Sequence, residues 1–322
     1  MLVYLSRRVA GAVVVLALLS FLSFWVMASH IDPLAPLRMQ SPYPAERIAR
    51  ITKRAHLDDS IPSRYERWVR GVVTGGDAGH TVVEDTPVWP PVWVSLKHTL
   101  QLIAATLVVV AVFSVGIGVI SASRPGSALD VSLRGAGYLA WSVPVFLLAL
   151  VFQQIVFRVS GSFGFQPLPP NGLPTGHGLA YVGDWFQHMV LPVATLSAAY
   201  IGAHSRYVRT AMLESLRAPH AVVARSKGLS ERRVLIRHAL RNSLIPFVTV
   251  LALDFGALFG GSFVVDWIFH LQGLGSLWVN AVAGYDPFQI EAVLVVTAAA
   301  VVVFSVLSDA ALGWLDPRVR LD

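Results

Sequence analysis

The chain has no cysteine and little charge: 14% of its 322 residues are Asp, Glu, Lys or Arg, where soluble domains carry about 25%. Without cysteine there are no disulfides, no thiolate chemistry and no cysteine-ligated zinc, and the compartment stays open. So little charge beside 55% hydrophobic residues excludes an ordinary soluble domain. Sequence signatures of chemistry are also missing. There is no Walker A stretch, no His-Glu-x-x-His and no Gly-x-Ser-x-Gly. The ten histidines are scattered without ligand spacing, so no metal site is expected. Gly116-Ile117-Gly118 is only a fragment of a dinucleotide motif, inside an apolar run. The arginines lie in no nucleic-acid-binding motif, which argues against nucleic acid as a partner. No catalytic constellation can be assembled, and an enzyme is not expected.

Long apolar runs are what the chain does have. A helix crosses a bilayer with about 20 mostly apolar residues. Six segments qualify: 9–29, 99–121, 135–157, 188–209, 244–266 and 289–314. They predict an all-α polytopic membrane protein with six transmembrane helices. The first run follows Arg7 and Arg8 and exceeds the apolar core of about 7–15 residues in a signal peptide. Met27-Ala28-Ser29-His30 is a poor cleavage site, so residues 1–29 read as a cytoplasmic end and a retained span. Pro144 and Pro192 predict kinks. Gly256, Gly260 and Gly261 predict a close helix contact.

Lys and Arg in short loops orient the chain. The stretches 159–187 and 267–288 contain neither. Arg7 and Arg8, Arg124 and Arg134, and Arg318 and Arg320 mark the opposite side, together with the loop 205–243. That loop holds nine basic residues against Glu214 and Glu231, a balance of +7 in a chain whose net charge is +6. Both termini and the loop 205–243 are therefore expected in the cytoplasm. Contact with anionic lipid would follow from the charge alone.

The outer region 30–98 reads as two short helices, 42–56 and 60–73. The second carries Ile61, Tyr65, Trp68 and Val72 on one stripe. Residues 86–93, rich in Pro and Trp, read as an extended lead into the second span. In the basic loop, Pro219–Ser226 suits a short helix, Gly228 a left-handed turn and Ser230 an N-cap. Val234, Leu235 and Ala239 or Leu240 would then form an apolar stripe opposite Arg232, Arg233, Arg237 and Arg241. Pro246 falls early in the next span, where a missing N–H is tolerated.

The segment ARSKGLSERRVLIRHALRNSLIP, residues 224–246, resembles the cytoplasmic signature of peptide-type permease subunits of binding-protein-dependent ABC importers. YLSRRVAG, HLDDSIPSRYERWVRG, GALFGGSFVVDWIF, GLGSLWVNAV and ALGWLDPRVR have family counterparts in the same order, so the resemblance covers nearly the whole chain. It is nearest to the B-type permeases of oligopeptide and dipeptide importers. It implies a type I importer permease fold, with residues 99–322 as the permease core. The implied partners are a homologous second permease, ATPase subunits that bind ATP and Mg, and an extracytoplasmic solute-binding protein. No cofactor is implied for this chain, and the location is the bacterial inner membrane.

The resemblance also implies a coupling set that docks on the ATPase: Ala224, Arg225, Lys227, Gly228, Leu229, Glu231, Arg232, Leu235, His238 and Arg241. Trp141, Asp254, Gly256 and Asp266 are candidates for the substrate pathway, because a carboxylate inside a span normally faces water or the bundle interior. The chain departs from the family at residues 219–223, at Asp254, where Gln is commoner, and at Asp266, where Glu is commoner. Relatives of this architecture carry nickel, glutathione or oligosaccharides, and a basic docking loop alone would also suit a membrane scaffold.

Overall fold

Leu2–His30 forms one helix, α1, with nothing in its sequence to break it. The computed structural model describes residues 2–40, 44–163, 168–174 and 179–315, and these are almost entirely helical. The one β pairing among them is an isolated bridge between His80 and Pro87. Among the described residues four helical segments are long and apolar enough to cross a membrane: Ser6–Arg38, Trp89–Ser123, Val145–Ser162 and Pro287–Ser308. A fifth arises if the bent pair Glu231–Leu244 and Pro246–Leu253 counts as one span.

Contacts divide the chain into two units: residues 1–99 with 272–306, and residues 100–271 with 307–321. In the first, α1 is followed by the short helices α2 (Ala35–Arg38), α3 (Ala45–Arg54) and α4 (Ile61–Arg70), and by a π-helical turn, Gly71–Gly75. Leu34, Leu37, Ile51 and Val82 bury against one another and against Phe288. Each such buried aliphatic contributes roughly 1.5–3 kcal/mol. The stripe expected on α4 faces α1: Tyr65 packs edge-on to Phe24 at 5.5 Å and its hydroxyl meets Ser20 Oγ at 2.7 Å. The Ser23 hydroxyl donates to both oxygens of the buried Glu291 carboxyl, at 3.1 and 2.8 Å. Asp286 closes the unit by accepting from the Val82 N–H at 2.7 Å.

The second unit contains α6 (Ala128–Ser142), α7 (Val145–Phe163), α8 (Leu179–Arg217), α9 (Pro219–Ser226), α10 (Glu231–Arg233), a π-helical stretch (Val234–Leu240), α11 (Arg241–Leu253) and α12 (Phe255–Phe269). α5 (Trp89–Ser123) and α14 (Pro287–Leu315) contribute residues to both units, and α13 (Leu274–Ala283) belongs to the first. Glycines let α6 and α8 touch backbone to backbone. A Cβ on Gly137 would lie 3.2 Å from Gly202 Cα, and one on Gly202 would strike the Gly137 carbonyl.

Several boundaries differ from expectation. Residues 86–93 are not extended throughout: α5 starts at Trp89 and places Pro90 and Pro91 in its first turn, where no helical N–H bond is lost. The third span is divided, because Pro144 forces Val143 into extended backbone (ψ 127°) between α6 and α7. α8 runs 39 residues through Pro192 without a break. The fifth span breaks for one residue at Asp254. Pro246, expected early in a span, lies inside α11, at a 41° bend in a helical path that starts at Glu231. The contact glycines are Gly137, Gly202 and Gly118, the last against Val208. In the triplet of the fifth span Gly261 meets Leu196, whereas Gly260 faces open space.

Candidate functional site

The basic segment folds back on the end of α8. Ala218 is extended (ψ 153°) and Pro219 opens α9. Gly228 turns the chain at φ +79°, a conformation that favours glycine. Ser230 has N-cap backbone geometry (ψ 145°) but no capping side-chain bond. Ala221, Ala224 and Val234 bury together with Leu216 and Leu229 around them. Arg225 spans the turn: its Nε donates to Glu231 Oε1 at 2.7 Å, Nη2 to Oε2 at 3.3 Å, and Nη1 to the Leu216 carbonyl at 2.9 Å. This pairing holds the Glu231 carboxyl below its ordinary range and raises the Arg225 guanidinium. His220 Nε2 lies 3.1 Å from Ser215 Oγ and 3.2 Å from Asn242 Nδ2, joining the ends of α8, α9 and α11.

The implied coupling residues therefore divide in two. Lys227, Gly228, Arg232 and Arg241 are exposed, as are the mutually paired Arg225 and Glu231. Ala224 is buried, and Leu229, Leu235 and His238 are half-buried; Ala224, Leu229 and Leu235 hold the segment together from inside. The exposed face also carries apolar side chains that charge counting missed: Val222 and Val223, each 51% exposed, and Ile236. A basic surface with apolar side chains standing out of it suits a protein partner better than bulk water does.

Behind this segment stands a second feature that charge patterning did not resolve. Asp130 is fully buried and receives Arg209 in a fork, Nε to Oδ1 and Nη2 to Oδ2, both at 2.8 Å. Ser121 also donates to it, as does the Gly126 N–H at 2.9 Å, and Arg134 lies 3.4 Å away. The Arg209 bonds first, then those of Ser121 and Gly126, hold this carboxyl well below the usual carboxylate range. The arrangement ties α5, α6 and α8 together. Its one sequence signal was Ser127, whose hydroxyl accepts from the Asp130 N–H as an N-cap.

Within the spans of the same unit lies a cavity of about 490 Å³, bordered by Trp141, Pro144, Tyr200, His204, Arg206 and Asp254. Two pathway candidates, Trp141 and Asp254, thus share one cavity. Gly256 and Asp266 are not on its lining; Asp266 is buried toward the far end of α12. His204 was not among the candidates. It is 1% exposed, and its Nε2 lies 2.9 Å from Asp254 Oδ2 without hydrogen-bond alignment. The Arg206 guanidinium stacks over Tyr138 at 4.4 Å and Trp141 at 5.6 Å. Among the described residues no group of three or more His, Cys, Asp or Glu could hold a metal.

Residues 114–321 match the family described as binding-protein-dependent transport system inner membrane component, and residues 1–113 match its N-terminal family. The oligopeptide transport system permease protein OppB of Mycobacterium tuberculosis is 34% identical over 99% of both chains. The oligopeptide transport system permease protein AppB of Bacillus subtilis is 31% identical over 99% of this chain and all of its own. A chain in a crystal structure of an amino acid ABC transporter with histidines aligns with a TM-score of 0.51 at 13% identity, over 71% of this chain and 94% of its own. At that identity the likeness concerns the fold, an all-α polytopic permease fold.

Proposed function

Because this chain belongs to the family of inner membrane components of binding-protein-dependent transport systems, we propose that it is the membrane-spanning permease subunit of an ATP-driven peptide importer. The carrying observation is the end-to-end match to relatives named as oligopeptide permeases. The protein is a multi-pass inner-membrane component. The finer reading adds six spans, cytoplasmic termini, and a homologous second permease completing the pore. The exposed apolar face formed by Leu253 at the end of α11 and by Ala257, Gly260, Val264 and Trp267 of α12 is read as that second permease's contact. ATP hydrolysis is assigned to partner ATPases, and delivery of cargo to an extracytoplasmic binding protein.

Residues 219–241 are read as the coupling element. Coupling requires a surface whose binding differs between two states of the ATPase, since equal affinity for both moves nothing. The exposed basic and apolar side chains supply that surface. The buried Ala221–Ala224–Val234 cluster and the Arg225 bonds make the element rigid enough to push on α8 and α11. Rotation of these helices would open the cavity beside Asp254 to one side of the membrane and then to the other. A peptide carries both charge signs and many hydrogen-bonding groups, so a general peptide pathway needs few fixed contacts.

Reconstitution tests this directly. Proteoliposomes holding this chain with its partner subunits and binding protein should accumulate a labelled tripeptide only when ATP is present. ATP-driven uptake of nickel, glutathione or an oligosaccharide with none of peptide would overturn the substrate assignment.

A further inference from the structure

The first unit contains a cavity of about 330 Å³, whose lining shares no residue with the coupling element or the Asp254 cavity. Three arginines border it, and two of them are satisfied. Arg54 meets Asp85 at 3.0 Å and the Val82 carbonyl at 2.6 Å. Arg67 meets Asp59 at 2.6 Å. The third, Arg64, is 9% exposed and has a buried Nε with no partner; its side chain makes no hydrogen bond or ion pair among the described residues. Its nearest named contact is the Phe24 ring, 6.0 Å from the guanidinium carbon. Burial lowers the Arg64 pKa, with Asp59 opposing, but a guanidinium keeps its proton. A buried Nε–H left unpaired is costly, and this side chain borders an open cavity.

The lining restricts what could neutralise it. Asp77 and Asp85 also border the cavity, so a multiply charged anion such as phosphate would face two carboxylates. One negative charge fits. The planar guanidinium fork matches a carboxylate in particular. Beside it, Trp68, Val82 and Phe288 form an apolar wall, and Trp68 is fixed by its Nε1 donating to the Ala78 carbonyl at 3.1 Å. The volume is at the lower end for small-molecule sites, about 300–1,000 Å³.

We propose that this cavity binds a monocarboxylate of peptide type, an acylated amino acid or chain end whose α-carboxylate meets Arg64 and whose last side chain lies against Trp68 and Phe288. Binding here reads the outer unit alone and does not depend on what the pore carries.

The test uses the permease co-assembled with its partner subunits in lipid nanodiscs. N-acetylphenylalanine and its amide are compared by saturation-transfer NMR. The acid should bind at least about tenfold more tightly than the amide, as expected for loss of a charge-assisted bond. Arg64→Gln should remove that preference, Arg64→Lys should keep part of it, and Arg70→Gln, outside the cavity, should change nothing. If Arg64→Gln does not assemble, the acid–amide comparison on the unaltered complex decides. Equal binding of acid and amide overturns the proposal. So does acid binding that survives Arg64→Gln. Failure to bind the acid, with Arg64→Gln instead weakening capture of the extracytoplasmic binding protein, would make the cavity a protein-docking pocket and overturn the ligand assignment.

Discussion

Arg225 grips Glu231 across the Gly228 turn while its third nitrogen holds the Leu216 carbonyl at the end of α8. One side chain thus ties α9, α10 and α8 at the surface read as the ATPase contact. The pair is exposed, so it adds little to stability. Its expected value lies in alignment. Arg225→Ala and Glu231→Ala should each leave membrane insertion intact and lower ATP-coupled uptake by a factor of up to about five, the scale of a lost exposed ion pair. The double variant should be no worse than Arg225→Ala, because the two residues act as one contact. Additive losses in the uptake assay would mean that each residue touches the partner independently.

Gly228 separates backbone from contact. Its φ is +79°, and a Cβ there would meet nothing within 4 Å. Gly228→Glu therefore strains only the backbone, by about 1–2 kcal/mol, and should insert and assemble. Peptide uptake and stimulated ATP hydrolysis should be lost, since the acidic side chain enters the basic docking face. Normal coupled uptake in this variant would remove residues 219–241 from the coupling role.

The legibility of these features follows from their range. Apolar runs and the turn at Gly228 are local, and both were visible in the chain. Ala224 could not be told from a contact residue, because its burial depends on Val234 ten residues later. Asp130 and Arg209, 79 positions apart, give no local sign of the fork that joins them. His204 carried no local signal, since Asp254 reaches it only after α11 and α8 pack. The helix break at Pro144 follows a proline read as a kink, whereas the one at Asp254 was not visible, because hydrophobic averaging over 20 positions has no resolution at a single residue.

Asp130 yields a stability prediction with a definite pH sign. Asp130→Ala strands Arg209 and should destabilise the permease by on the order of 3 kcal/mol, the usual cost of breaking a buried pair, read as a lower Tm of the complex in detergent. The native carboxyl is depressed below its ordinary value of 3.8. Its contribution is therefore complete above the unfolded pKa, and is lost only as pH falls through the depressed folded value. Acidification from pH 7 to 5 should leave the gap in Tm between wild type and Asp130→Ala unchanged. A gap that closes over that interval would place the folded carboxyl well above its ordinary pKa and the Arg209 fork in error.

Helix contact gives a matched pair of glycine substitutions. A methyl group on Gly202 would collide with the Gly137 carbonyl, and backbone cannot swing aside as a long side chain can. Gly202→Ala should separate α6 from α8 and reduce the yield of assembled complex, with overpacking costing about 1–3 kcal/mol. Gly116→Ala, with nothing within 4 Å of its Cβ, should leave assembly unchanged. Equal yields from both variants would contradict the backbone contact.

Asp254 is the pathway residue whose charge can be tested against a substrate group. It is 31% exposed at its side chain, beside a cavity, while its neighbour His204 is 1% exposed. The histidine is thus the buried support and the carboxylate the reachable group. If Asp254 meets the ammonium end of a peptide, Asp254→Asn keeps shape and removes the attraction. A hydrogen bond to a charged group is worth about 1.5–3 kcal/mol, and a wet cavity places the effect near the lower figure, roughly tenfold in uptake at low substrate. Uptake of tri-alanine should fall by that factor, whereas N-acetyl-tri-alanine, which has no ammonium, should be carried equally by both proteins. A fall for both peptides would instead assign Asp254 to helix packing through His204, and no change for either would remove it from the pathway.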